Sequence, residues 1–102
     1  MEVEFADETL ERLYSELAFN AGFAEAIVNA YRKRMQFILA APDERAFYAM
    51  KSLHFEKLQG KRSHQRSMRL NDQWRLVLEI KRSRPKNIVV VVGIEDYHKQ
   101  RG

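Results

Sequence analysis

Ser67-Met68-Arg69-Leu70-Asn71-Asp72-Gln73-Trp74-Arg75-Leu76-Val77-Leu78-Glu79-Ile80 decides the fold, because its apolar residues alternate in two runs divided by a short polar segment. Alternation with a period of two marks a β-strand with one buried face. Met68 and Leu70 share a face in the first run, and Trp74, Leu76, Leu78 and Ile80 share one in the second. Both sets must lie on the same side of a sheet. A two-residue loop would pair Leu70 with Gln73 and send them to opposite sides, so the pattern predicts an odd loop, Asn71-Asp72-Gln73, with Leu70 opposite Trp74. Arg69 then faces Arg75 across the ladder.

The C-terminal half is predicted to be a meander of strands near 53–58, 65–70, 74–80 and 87–95, separated by the polar segments Gln59 to His64 and Lys81 to Lys86. Ile88-Val89-Val90-Val91-Val92 is apolar on both faces and belongs in a central position, with helices on one side and a partly closed concavity on the other. On the N-terminal side, Val3 and Phe5 alternate with Glu2 and Glu4 as a short first strand. Asp7 is a good helix N-cap, Glu8 and Glu11 suit the positive helix end, and Leu10, Leu13, Tyr14 and Leu17 recur at helical spacing until Asn20-Ala21-Gly22 stops the run. A second helix spans about Phe23 to Ala40, with Ile27, Tyr31, Met35, Ile38 and Leu39 on one side and Arg32, Lys33, Arg34 and Gln36 around the other, and Pro42 ends it. Glu44 to Lys51 predicts a short third helix held by Phe47 and Met50. The expected fold is α+β: an N-terminal strand and two helices packed on a twisted antiparallel sheet, with residues 1–102 as a single domain.

Charge is divided unevenly along the chain. Residues 1–50 hold 5 Lys/Arg against 9 Asp/Glu, and residues 51–102 hold 13 against 5, so the halves carry −4 and +8 within a total of +4. A basic half of this strength attracts a polyanion, although a solubilising basic surface would look the same in composition. No cysteine occurs, which excludes disulfides and thiolate chemistry. The acidic start Met1-Glu2-Val3-Glu4 is unlike a signal peptide, and the run Ile88 to Val92 is far shorter than the ~20 residues that cross a bilayer. A soluble cytoplasmic protein with no membrane partner is expected.

Two candidate sites of chemistry emerge. Like charges opposed on a sheet are unfavourable by roughly 0.2–1 kcal/mol, and a bound anion would explain Arg69 facing Arg75 in the open. The alternative is that both guanidiniums splay into water or pair with Glu79 or Glu95. Lys57, Lys61, Arg62 and Arg66 extend the basic region as candidate RNA-binding residues that position a backbone. Asp96-Tyr97-His98 closes the last strand, where side chains reach over a sheet edge, and a histidine with a second proton donor beside arginines meets the needs of RNA cleavage. A Tyr-His pair alone is a common surface dipeptide. His54 and His64 carry less, His54 packing beside Phe55 and His64 lying in a polar loop. With three separated histidines and no ligand spacing, neither a metal site nor a cofactor is expected.

Phe55-Glu56-Lys57-Leu58-Gln59-Gly60-Lys61-Arg62, followed by Ser67 to Arg75 and closed by Asp96-Tyr97-His98, resembles the HigB-type, or proteic killer, branch of the RelE/ParE toxin superfamily. That resemblance implies a compact α+β plasmid-maintenance toxin that cleaves mRNA on the ribosome and is neutralised by a cognate antitoxin, commonly a helix-turn-helix protein. It implies Arg75 as the phosphate-contacting arginine, with Arg69 beside it, and Asp96, Tyr97 and His98 as the catalytic segment. Gln59 stands where relatives often have a lysine, and Lys99-Gln100-Arg101-Gly102 extends beyond the usual ending. The rival expectation is a non-catalytic inhibitor of the ParE kind that binds DNA gyrase, and a plain RNA-binding domain is a third.

Overall fold

A computed structural model describes residues 1–100; Arg101 and Gly102, the end of the C-terminal extension, lie outside the described residues. The elements run β1 (Glu2–Phe5), α1 (Glu8–Ser15), α2 (Glu25–Ala40), α3 (Arg45–Ala49), β2 (Glu56–Lys57), β3 (Arg66–Arg69), β4 (Trp74–Lys81), β5 (Ile88–Asp96) and α4 (Tyr97–Gln100). Single 3₁₀ turns at Lys51–Leu53 and Gly60–Arg62 flank β2. The five strands form one sheet in the order β1-β5-β4-β3-β2. The α+β architecture matches expectation. One pairing was not legible in the sequence: β1 lies parallel to β5, while every other neighbouring pair is antiparallel.

Helices α1 and α2 cover one face of the sheet. Leu10 and Leu13 of α1 and Ile27, Tyr31, Met35 and Ile38 of α2 are buried in one core with Met68, Leu76, Leu78, Val89 and Val91 of the strands. Tyr31 is wholly enclosed and donates its phenol to the Leu10 carbonyl at 2.7 Å, which satisfies the polar end of a large core ring. Burial pushes its ionisation well above the ordinary tyrosine value. Asp7 caps α1 as expected, accepting the Leu10 N–H at 3.0 Å.

Three local expectations need correction. The first helix stops at Ser15 and leaves Leu17 84% exposed, because Glu16 is extended and Arg32 of α2 takes the carbonyls of Leu13, Glu16, Leu17 and Phe19 at 2.9–3.3 Å. A side chain assigned to the polar face of α2 thus ends its neighbour. Asn20-Ala21-Gly22 instead forms the turn into α2, with the Asn20 side chain accepting the Gly22 N–H at 2.8 Å. The strand near 53–58 shrinks to Glu56–Lys57. Leu53 and Phe55 are both buried as a strand pattern demands, but His54 between them adopts a left-handed conformation at φ 47° that breaks the ladder. Finally, Phe47 of α3 is buried against Phe55, ring centroids 5.3 Å apart, whereas Met50 stays 41% exposed.

Candidate active site

The β3–β4 hairpin has the register that parity demands. Met68 opposes Leu76 and Arg69 opposes Arg75, and the Leu70 N–H closes the three-residue loop on the Trp74 carbonyl at 2.9 Å. Asn71 holds the loop by accepting the N–H groups of Gln73 and Trp74 at 2.9 and 2.8 Å. The apolar set lies toward the helices, and Ser67, Arg69, Arg75 and Val77 share the other face.

On that face the two arginines are not two open cations. Arg75 is only 5% exposed. Its Nη2 donates to the His54 carbonyl at 2.6 Å, to Ser67 Oγ at 3.1 Å and to Glu56 Oε1 at 3.2 Å, while its Nε is buried without an acceptor. Arg69 is more exposed and pairs with Asp72 of the loop. The repulsion between the two is therefore relieved by Glu56 and Asp72, not by open water and not by Glu79 or Glu95. Burial pulls the Arg75 ionisation below the usual guanidinium value, opposed by Glu56 and Tyr97 and reinforced by Arg69.

A bulge in β5 brings the C-terminal segment to the same place. Val77 pairs with Gly93 but Leu78 pairs with Val91, so Val92 is an extra residue that inverts the parity of everything after it. Ile94 thereby joins the core side opposite Leu76, and Glu95 comes to the face of Arg75. The Asp96 carboxylate accepts the His98 N–H at 2.9 Å and the Gln73 side-chain amide at 3.1 Å. The Tyr97 N–H donates to the Gln73 carbonyl, which pins the start of α4 to the hairpin loop. Tyr97 then lies over Arg75, with the guanidinium carbon 4.9 Å from the ring centre, and the His98 ring is 6.2 Å from that of Tyr97 and exposed to solvent. Such a cation–π contact is worth about 0.5–2 kcal/mol. Arg75, Tyr97 and His98 form one constellation, with Arg69 across the ladder and Asp96 beneath.

The remaining candidates disperse. Lys57 opposes Arg66, and both have the parity of Met68, so they belong to the helix-side face at the sheet edge and do not extend the Arg75 face. Arg66 donates to the carbonyls of Ser63 and Gln65. Lys61 is exposed, and Arg62 is engaged by Glu95 at 2.6 Å. His54 and His64 are exposed, so His54 does not pack as expected; its part is played by its carbonyl on Arg75. Glu56 and Ser67 were missed as partners of Arg75. Parity places Ser67 on that face, but a two-residue β2 offers too little pattern for Glu56.

The sheet thus carries α1 and α2 on one face and gathers an arginine, a tyrosine and a histidine on the other. The family model for the RelE-like toxin of type II toxin-antitoxin system HigB matches residues 3–98, and the chain belongs to that HigB-like toxin family. As a type II toxin it implies an antitoxin partner. No curated protein matches the sequence. The fold is similar to that of the YoeB/ParE toxin from Agrobacterium tumefaciens, with a TM-score of 0.62 at 12% identity over 95% of this chain and 99% of that one. It is also similar to YafQ from Escherichia coli strain BL21(DE3), with a TM-score of 0.59 at 12% identity over 99% and 98%. A conserved hypothetical protein from Helicobacter pylori gives 0.53 at 12% identity over 96% of each chain.

Proposed function

We propose that this toxin is a ribosome-dependent mRNA endoribonuclease that works by metal-independent acid–base chemistry in the cytoplasm, with a helix-turn-helix antitoxin as its cognate partner. The observation that carries the reading is Tyr97 seated over Arg75 with His98 beside it. In this reaction the 2′-hydroxyl loses its proton as its oxygen bonds to phosphorus, and the P–O5′ bond breaks as the 5′-oxygen gains a proton. His98, exposed and fixed through its backbone by Asp96, serves one proton transfer, and the Tyr97 hydroxyl serves the other. Arg69 reaches the phosphate from the hairpin end. Arg75 acts from beneath, where a phosphate that displaces the half-exposed Glu56 carboxylate gains its Nη2. An mRNA already extended on the ribosome supplies the alignment.

Induction in cells, with mRNA 5′ ends mapped and chromosomal DNA breaks scored in the same cultures, tests this. Cuts within translated mRNA that vanish when an antitoxin is co-expressed are the expected result. Gyrase-dependent DNA breaks with intact mRNA would replace the ribonuclease by the inhibitor reading.

A further inference from the structure

Glu95 stands directly opposite Arg75 in the β4–β5 ladder, on the same face. Opposite charges so placed are natural partners. Arg62, reaching from the Gly60–Arg62 turn, instead takes both oxygens of that carboxylate, Nη1 to Oε1 at 2.8 Å and Nη2 to Oε2 at 2.6 Å. The turn is braced for this role. Gly60 at φ 64° lets the chain reverse, Arg62 Nε donates to Gln65 Oε1 at 2.9 Å, and Gln65 Nε2 donates to Glu79 Oε2 at 3.1 Å. One network therefore engages both carboxylates that β4 and β5 place on this face, Glu79 and Glu95.

We propose that Arg62 is a positioning residue for the phosphate site: by holding Glu95 in a two-bond ion pair, it keeps a negative charge from turning onto Arg75 and Tyr97. The proposal rests on the ribonuclease reading for its consequence and on the ladder geometry for its cause. While Arg62 offsets Glu95, a phosphate arriving beside Arg69 and Arg75 meets no uncompensated carboxylate from β5. Once Arg62 is lost, the site gains one unit of uncompensated negative charge beside Arg75, and the Glu95 carboxylate competes with that phosphate and repels it. This differs from an Arg62 that touches RNA itself, because only the positioning role disappears when Glu95 loses its charge.

Two measurements on the full chain decide it: single-turnover mRNA cleavage on saturated ribosomes, and the rise in melting temperature of the free protein with sulfate against an equal ionic strength of chloride. Arg62→Ala is expected to lower both cleavage and apparent sulfate affinity roughly ten-fold, about the effect of one unit charge a few ångströms from the site in a water-like dielectric. Adding Glu95→Gln is expected to restore both to within about two-fold of the parent, as two coupled neighbours should. Arg62→Lys, which keeps the charge but not the fork, falls between. A double variant no better than Arg62→Ala would overturn the proposal, since Arg62 would then act by touching RNA or by bracing the turn. An Arg62→Ala protein with parental cleavage and affinity overturns it too, as does a parent on which sulfate acts no differently from chloride. The sulfate pattern without mRNA cleavage would sink the ribonuclease reading and leave the positioning role standing.

Discussion

The guanidinium of Arg75 lies under the ring of Tyr97, 4.9 Å from its centre, and so joins the middle strand of the sheet to the first residue of α4. The contact makes Tyr97 part of the scaffold as well as a candidate proton donor. Its two roles are separable, because the ring carries the first and the hydroxyl the second.

Tyr97→Phe keeps the ring and with it the contact to Arg75, while Tyr97→Ala loses that contact and about 0.5–2 kcal/mol in chemical denaturation. Cleavage should fall on the order of 10²-fold in Tyr97→Phe if the hydroxyl moves a proton. A Phe variant that cuts at the parental rate would reduce Tyr97 to a positioning residue.

His98→Ala is expected to slow single-turnover cleavage by ~10²–10⁴-fold with ribosome binding unchanged, because His98 is exposed and its loss removes chemistry and not packing. Co-sedimentation with ribosomes provides the comparison. Equal losses in binding and in rate would contradict a proton-transfer role.

Arg75→Ala is expected to abolish growth inhibition and also to cost about 1–3 kcal/mol, since it strips donors from the His54 carbonyl and Ser67 hydroxyl and opens a buried volume. Parity alone suggests an open side chain whose removal leaves the fold untouched, and burial changes that expectation. Urea unfolding measures the cost; a folded variant with full toxicity would remove Arg75 from the site.

Asn71→Ala deletes the acceptor for two loop N–H groups and should destabilise the hairpin by about 1–2 kcal/mol. Because the loop also carries Gln73, which anchors Asp96 and Tyr97, cleavage should fall more than ribosome binding. Amide exchange at Leu70 and Trp74 reports the loosening directly.

Tyr31→Phe should cost about 1 kcal/mol by losing the bond to Leu10. The raised ionisation of Tyr31 gives a sign to the alkaline limb: the folded chain keeps a proton that the unfolded chain releases near pH 10, so this contribution is complete below about 10 and is lost as pH rises beyond it. The Phe variant should lose stability less steeply above that pH. Parallel slopes for the two proteins would contradict this.

Much of the site was legible because alternation is a local property. Met68, Leu70, Trp74 and Leu76 specify an odd loop without reference to anything else in the chain, and Arg69 opposite Arg75 follows from them. The position of Asp96-Tyr97-His98 at the end of a strand was legible for the same reason. Lys57 and Arg66 were grouped with Arg75 by sequence proximity, and strand parity across the β2–β3 register separates them.

By itself, then, the sequence determined the hairpin register and the apolar face that α1 and α2 cover, and it supplied the candidates proposed to move protons and hold phosphate. Only the tertiary structure decided that Arg75 is enclosed and that Tyr97 lies above it. The first depends on His54 and Glu56, which meet Arg75 only once the segment after α3 folds across the sheet. The second depends on Val92, whose displacement from the ladder turns Glu95 and the residues beyond it to the opposite face. A bulge is placed by cross-strand hydrogen bonding and by the burial of Ile94, and neither is a property of the Val-rich run that contains it.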